Sequence, residues 1–317
     1  MKKIIFMAAT AIAFAGCSQT ELDENFVGQK EIKFSNLNDK INSRAANDAK
    51  DNYVVYAAWS GGDTSWFING DEVNGTNDTP TGTYHWPATG SIDFYAWAPA
   101  TVMTTASYPN LTINYTVPTA ANQDFTIAAP RTGQTSTTNS GVVSLEFAHM
   151  LSKVSVTAVL NQDLLDAGYA LNTDGLIADL GVALNAGTIN PKDGTPAWSA
   201  PNGTATKYSS AASYMIMPQS SVDCTVRIRG GIKITKNGAE IYDGDLSTYT
   251  IETDDITGNQ FEMGKHYMLI LTISDKSTGG GGTDPENPNP IFNIIEFNSD
   301  IAPWDTPTGT DTPLVQP

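Results

Sequence analysis

Cysteine is scarce in this chain of 317 residues: only Cys17 and Cys224 are present, so at most one disulfide can form. Histidine is scarce too. His85, His149 and His266 stand far apart, and none falls in a metal-binding or triad signature. No HExxH, no GxSxG, no CxxC pair and no glycine-rich strand-to-helix phosphate loop occurs. These absences predict no catalytic residue, no metal site and no cofactor. Positive charge is also short, with 17 Lys and Arg against 34 Asp and Glu, a formal charge of -17. Such a surface repels phosphates, which excludes nucleic acid as a partner and anionic lipid as a docking surface. Helical periodicity is nearly missing. The best candidate, Gln162–Leu171, reads as one or two turns between strands. Beyond the N-terminal leader, no segment is long and apolar enough to span a bilayer.

What is present begins with that leader. Met1-Lys2-Lys3, the apolar run Ile4–Phe14 and then Ala15-Gly16-Cys17 make a signal peptide over residues 1–17. Small residues directly before a cysteine form a bacterial lipobox, although Phe14 stands where Leu is commoner. Cys17 is therefore the predicted lipidation site, and three acyl chains on it would anchor the protein firmly. The acidic stretch Glu21-Leu22-Asp23-Glu24 resembles the surface-export signal of Bacteroidetes lipoproteins. The expected location is the outer membrane, facing outward. Cys224 cannot then pair with Cys17, and its setting in a strand predicts a buried thiol.

Apolar residues at 40% suffice for packed cores, and the length suits two domains. Short strands recur between clusters of Gly, Asn, Asp, Pro and Thr, the pattern of all-β sandwiches. They are expected at Glu31–Phe34, Tyr53–Trp59, Ile92–Trp97, Leu111–Thr116, Phe125–Ala128 and Val142–Phe147. Others are expected at Lys153–Leu160, Ser213–Met217, Val222–Ile228, Tyr267–Ile273 and Ile291–Phe297. Along Lys153–Leu160 the residues Val154, Val156, Ala158 and Leu160 share one face, and Cys224, Val226 and Ile228 do the same later. An acidic tether, the first strand and a polar stretch fill 18–52. Sandwich domains are expected over 53–150 and 151–317, meeting near 149–152. Glycines then spaced prolines over 277–290 read as a flexible and then extended linker, followed by a strand segment at 291–304. Trp59, Trp66, Trp86 and Trp97, with Tyr56, Tyr84 and Tyr95, read either as sandwich core or as platforms for sugar rings. Asp243-Gly244-Asp245 and Asp254-Asp255 read as turn residues or as cation ligands that complete no calcium loop.

Several stretches, in order, resemble the fimbrillin family, the type V pilins of Bacteroidales and their anchor and tip relatives. They are the Cys17 lipobox, Ile32-Lys33-Phe34, Ser43-Arg44-Ala45, Tyr53-Val54-Val55-Tyr56-Ala57 and Trp86-Pro87 before Ile92–Pro99. Gln123–Ala129, Met215-Ile216-Met217-Pro218-Gln219, Gly264-Lys265-His266-Tyr267 and Ile301-Ala302-Pro303-Trp304 follow the same order. The most specific is Leu145-Glu146-Phe147-Ala148-His149-Met150-Leu151-Ser152-Lys153-Val154. The resemblance implies two transthyretin-like β-sandwich (Greek-key) domains, exported as a lipoprotein, without enzymatic activity. It also implies that a trypsin-like protease cuts between Arg44 and Ala45, removing the lipid with the first strand, Glu31–Asn36, which belongs to the first domain until then. A strand from a neighbouring subunit then fills the vacated groove. The candidate donor strand carries Ile291, Phe292, Ile294, Ile295 and Phe297; the alternative is that Ile291–Phe297 pairs within its own domain, with the linker as a surface loop. The implied partners are other fimbrial subunits, in a homo- or hetero-polymer, and the outer membrane through the lipid before processing. A stalk, accessory or tip role in adhesion is implied, toward a host or bacterial surface glycan or protein. The alternative from another class is a glycan-binding surface lipoprotein that keeps its anchor.

Overall fold

The computed structural model describes residues 30–37, 51–62, 64–102, 104–118, 123–203, 206–210, 213–222, 224–246, 248–275 and 292–303. The chain is nearly all β. Among the described residues the sole α-helix is Gln162–Asp166, capped by the Asn161 side chain, which accepts from Leu164 N–H at 3.1 Å. It stops five residues short of the expected Leu171. Gly168 leaves the helix with φ +80°, and the chain turns into the strand Tyr169–Asn172. No helix among the described residues is long and apolar enough to cross a membrane.

The first large sheet orders Phe147–His149, Thr126–Ala128, Ile92–Ala98, Tyr53–Trp59, Ile68–Asn74 and Thr79–Pro80, with Arg131–Gln134 also pairing Ile92–Ala98. Its two central strands lack the usual polar alternation because both of their faces are buried. Tyr53, Val55, Phe94 and Ala96 face one core, which also holds Ile32, Phe34, Val143 and Leu145. Val54, Tyr56, Tyr95 and Trp97 face the other, which continues into the second half of the chain. Tyr95 and Trp97 thus share one face and Phe94 takes the other, as the alternation predicts.

After residue 150 one sheet orders Ser213–Ile216, Ser152–Leu160, Lys265–Asp275 and Phe292–Pro303. Ser152–Leu160 runs parallel to Lys265–Asp275 and buries Val154, Ala158 and Leu160. A second sheet orders Thr206–Ser210, Ile177–Val182, Thr225–Gly230 and Tyr249–Thr250, with Cys224, Val226 and Ile228 buried at its inner face. Cys224 donates from its Sγ to Ser220 O at 3.5 Å.

One sheet joins the stretches on either side of the expected boundary at 149–152. Thr104–Ser107 pairs Asn110–Thr116, which pairs Ala186–Ile189, which pairs Ser199–Asn202. Trp198 reinforces this junction, donating from Nε1 to Met150 O at 2.7 Å and lying 5.9 Å from the Phe125 ring. Buried Gln219 of the Met217-Pro218-Gln219 stretch uses its whole amide nearby. It accepts from Ala183 and Leu184 N–H and donates to Leu184 and Met217 carbonyls. Further on, Gly231 sits at φ +72°, where a Cβ would lie 1.9 Å from Gly175 O. Gly231→Ala is therefore expected to cost at least ~2 kcal/mol, read as a lowered denaturation midpoint at unchanged slope.

Candidate functional site

The candidate site is the seat of the first strand. Ile32-Lys33-Phe34 alternates inward, outward, inward, and the ordered strand is Lys33–Asn36, entered through a bridge between Glu31 and His85. Ser35 and Asn36 lie beyond the alternating run Glu31–Phe34 but within the departing strand expected over Glu31–Asn36. Ser35 Oγ donates to Ser144 Oγ at 3.2 Å, and Asn36 N–H donates to Asp78 Oδ2 at 3.1 Å. The strand runs parallel to Val142–Leu145, with Phe34 opposite Val143 and Asn36 opposite Leu145. On its other side Ile32 N–H donates to Tyr84 O at 2.8 Å, and Trp86 N–H donates to Lys30 O at 2.9 Å.

Ile32 and Phe34 are buried, and the Phe34 ring meets Phe94 edge-on at 5.9 Å. Trp86, also buried, meets Phe94 at 5.8 Å and donates from Nε1 to Gly141 O at 3.2 Å. Beside it Asn139, Ser140 and Gly141 are successive left-handed residues, which aims the Ser140 carbonyl at the Lys30 ammonium. Burying Ile32 and Phe34 contributes roughly 3–6 kcal/mol gross, at about 1.5–3 each. Among the described residues, Lys33–Asn36 is the sole ladder partner of Val142–Leu145. Removal of the first strand therefore strips that strand of its ladder and uncovers Val143 and Leu145. This creates an open, apolar edge that can template another strand.

Two tyrosines tie the seat together. Burial first, then the Asp78 carboxylate, pushes the Tyr53 phenol well above its ordinary range, and its hydroxyl donates to Asp78 Oδ1 at 3.1 Å. Burial, then Asp71, pushes Tyr84 up to about 12. The fold holds both phenols neutral, so their contribution is complete below the ordinary value of 10.0; that of Tyr84 is lost as pH rises through about 12, and that of Tyr53 persists beyond it. Tyrosinate absorbance of the intact chain is expected to rise together with loss of near-UV circular dichroism in that window. Titration of these tyrosines near 10 without unfolding would contradict it.

The other sequence candidates fall as follows. Cys17, Arg44, Ala45, Ile291 and the linker 277–290 lie outside the described residues. The backbone of Phe292, Ile294, Ile295 and Phe297 belongs to Phe292–Pro303, which pairs antiparallel with Lys265–Asp275 and forms an edge of its sheet. A register break between Thr272 and Ile273 interrupts this ladder. His85 bridges Glu31, His149 Nδ1 lies 2.5 Å from buried Asp124, and His266 Nε2 lies 3.0 Å from Ser155 Oγ. The described residues hold no group of three metal-ligating side chains. Asp243 pairs with Lys233 and Asp245 with Arg227, while Asp255 accepts from Tyr249 OH and Glu252 N–H. Tyr56 stacks on Trp97 at 5.3 Å, Trp66 packs edge-on against Tyr56 and Tyr95, and Lys192 caps Trp66 and Tyr95. These rings are spent on one another. Asp78, Trp86, Val143 and Leu145 are the seat residues that sequence reasoning did not connect to the first strand. The apolar alternation of Val142–Leu145 marks a strand but does not say which strand it accepts.

The stretch 41–304 matches the family model described as fimbrillin-like. The chain belongs to the fimbrillin-like family. No curated protein matches it in sequence. Among solved structures, this fimbrillin-like chain is similar to a candidate cell adhesion protein of Bacteroides uniformis. That pair shares 17% identity with a TM-score of 0.56, covering 88% of this chain and 98% of the other. It is also similar to a fimbrial protein of Bacteroides vulgatus at 14% identity and a TM-score of 0.56, covering 86% and 99%. At such identities the likeness is one of fold. Family membership makes this a fimbrial or adhesion-related subunit of the cell surface, a structural class of protein.

Proposed function

We propose that this fimbrillin-like chain is a structural subunit of a fimbria, exported as a lipoprotein acylated at Cys17 and assembled by strand exchange. Cleavage between Arg44 and Ala45 releases the lipid together with Lys33–Asn36. The observation that carries this reading is the seat. One short strand is the sole described ladder partner of Val142–Leu145, and it fills the core with Ile32 and Phe34. Its removal leaves a groove whose floor and walls are already built, which is the condition for strand addition. The donor is the segment bearing Ile291, Phe292, Ile294, Ile295 and Phe297, whose described stretch, Phe292–Pro303, is an edge strand that follows the glycine- and proline-rich sequence 277–290. The two halves, 53–150 and 151–317, are read as transthyretin-like sandwiches joined by the shared sheet. Partners are other fimbrial subunits, with the outer membrane before processing and a surface glycan or protein at the target.

Mass spectrometry of protein sheared from intact cells tests this reading. The expected N-terminus is Ala45, and Arg44→Ala is expected to leave an acylated Cys17 and no sheared polymer. Unchanged processing of that variant would remove Arg44 from the mechanism. An acylated Cys17 in the wild-type assembled protein would overturn release altogether. Cuts after Arg227 or Arg229 are expected to be far slower, because both lie in Thr225–Gly230, paired on both sides and tied to Asp245 and Asp179.

A further inference from the structure

The strand Val142–Leu145 has two edges, and among the described residues only one of them carries a strand. Lys33–Asn36 pairs along the inner edge. Along the outer edge, alternate carbonyls accept from groups outside any ladder. Val142 O accepts from Asn139 Nδ2 at 3.4 Å, Ser144 O from Arg131 Nε at 2.6 Å, and Glu146 O from Ala129 N–H at 2.9 Å. A spacing of two is what one edge of a strand presents. Pro130 explains the change of donor. It has no N–H, and past it the backbone of Arg131–Gln134 turns away to pair with Ile92–Ala98. The Arg131 side chain reaches back to the edge that its backbone has left, and its Nη2 lies 3.5 Å from Glu146 Oε2.

While the first strand is in place, its ladder keeps Val142–Leu145 extended and Arg131 adds little. Once the first strand has left, the side chains on the outer edge are what holds the acceptor strand straight. They also close that edge, because the guanidinium stands where an added strand would lie. We infer that Arg131 is a positioning residue for assembly: with Asn139 it splints the vacated groove and leaves the inner edge as the one open to a strand. Ser144 ties the splint to the seat, since its hydroxyl accepts from Asn139 Nδ2 at 2.8 Å and from Ser35 Oγ at 3.2 Å. This rests on the strand-exchange reading and concerns the acceptor, whatever the donor.

Comparing uncut and cut protein separates a splint from an ordinary stabilising contact. Arg131→Ala is expected to leave the denaturation midpoint of the uncut chain at the wild-type value. After the cut at Arg44, polymer growth followed by light scattering is expected to slow about tenfold or more, the effect of losing one charge-assisted hydrogen bond. In the cut variant chymotrypsin is expected to cleave after Leu145 or Phe147, where cut wild type resists. Arg131→Lys keeps a donor and is expected to fall between the two. Asn139→Gly keeps the left-handed backbone (φ +42°) without the amide and is expected to act in the same direction, more weakly. An equal loss of midpoint in uncut and cut Arg131→Ala would make Arg131 a merely structural residue and overturn the inference. Growth and cleavage of the cut variant at wild-type levels would overturn it too. Cut wild type that never polymerises would remove strand exchange, and the chymotrypsin comparison would still decide the splint.

Discussion

Phe34→Ala is expected to lower the stability of the uncut chain by about 3–5 kcal/mol, the usual cost of emptying a core site of a phenylalanine. Phe34 is buried against Phe94 in a cluster that also holds Trp86, Val143 and Leu145. The backbone around it is pinned by the Val142–Leu145 ladder and by Asp78, so the site has little room to collapse onto the void. Equilibrium denaturation of the intact protein measures the loss, and Phe34→Leu is expected to lose much less. The same substitution is expected to change nothing in protein already cut after Arg44 and assembled, because the residue has left with the first strand. A stability loss that persists in the assembled polymer would mean that Lys33–Asn36 stays in its seat.

Deleting residues 291–317 is expected to abolish polymer formation while leaving a monomer that unfolds cooperatively. The deleted strand is an edge, paired on one side only with Lys265–Asp275. Its removal still leaves Ser213–Ile216, Ser152–Leu160 and Lys265–Asp275 as a three-stranded sheet over a core that includes Leu269, Leu271 and Ile273. Ordering a strand of this length costs on the order of 1–2 kcal/mol per residue, which offsets much of what its burial contributes. One edge can therefore be exchanged for another at small net cost, with cleavage after Arg44 giving the exchange its direction. Sedimentation measures the polymer, and thermal denaturation measures the monomer. A monomer that loses its cooperative transition would show that Phe292–Pro303 belongs to its own sheet and is not donated.

Strand alternation is a local property, and where it is strong it is legible. Tyr53–Trp59 has its expected bounds; of the inward set on Lys153–Leu160, Val154, Ala158 and Leu160 are buried and Val156 is partly buried against the same core, and Cys224, Val226 and Ile228 are buried as their spacing predicts. The first strand is legible from Ile32-Lys33-Phe34 alone. Strands such as Ile68–Asn74, Arg131–Gln134 and Ser199–Asn202 are not, because they are largely polar and are held by their neighbours' ladders. The expected continuous strand Val142–Phe147 divides into Val142–Leu145 and Phe147–His149, which join different sheets. Nothing in the run itself marks that switch.

The sequence by itself determined the fold class, the family, and the inner and outer face of each strongly patterned strand, since a two-residue period needs no knowledge of a partner. Only the tertiary structure decided the partners. Lys33–Asn36 lies parallel to Val142–Leu145 across a long stretch of chain, and Asn110–Thr116 lies against Ala186–Ile189 across the expected boundary. Phe292–Pro303 closes back on Lys265–Asp275 with a bulge at Ile295. Any apolar edge offers the same backbone donors and acceptors, so the choice among edges is made by packing brought together from distant parts of the chain.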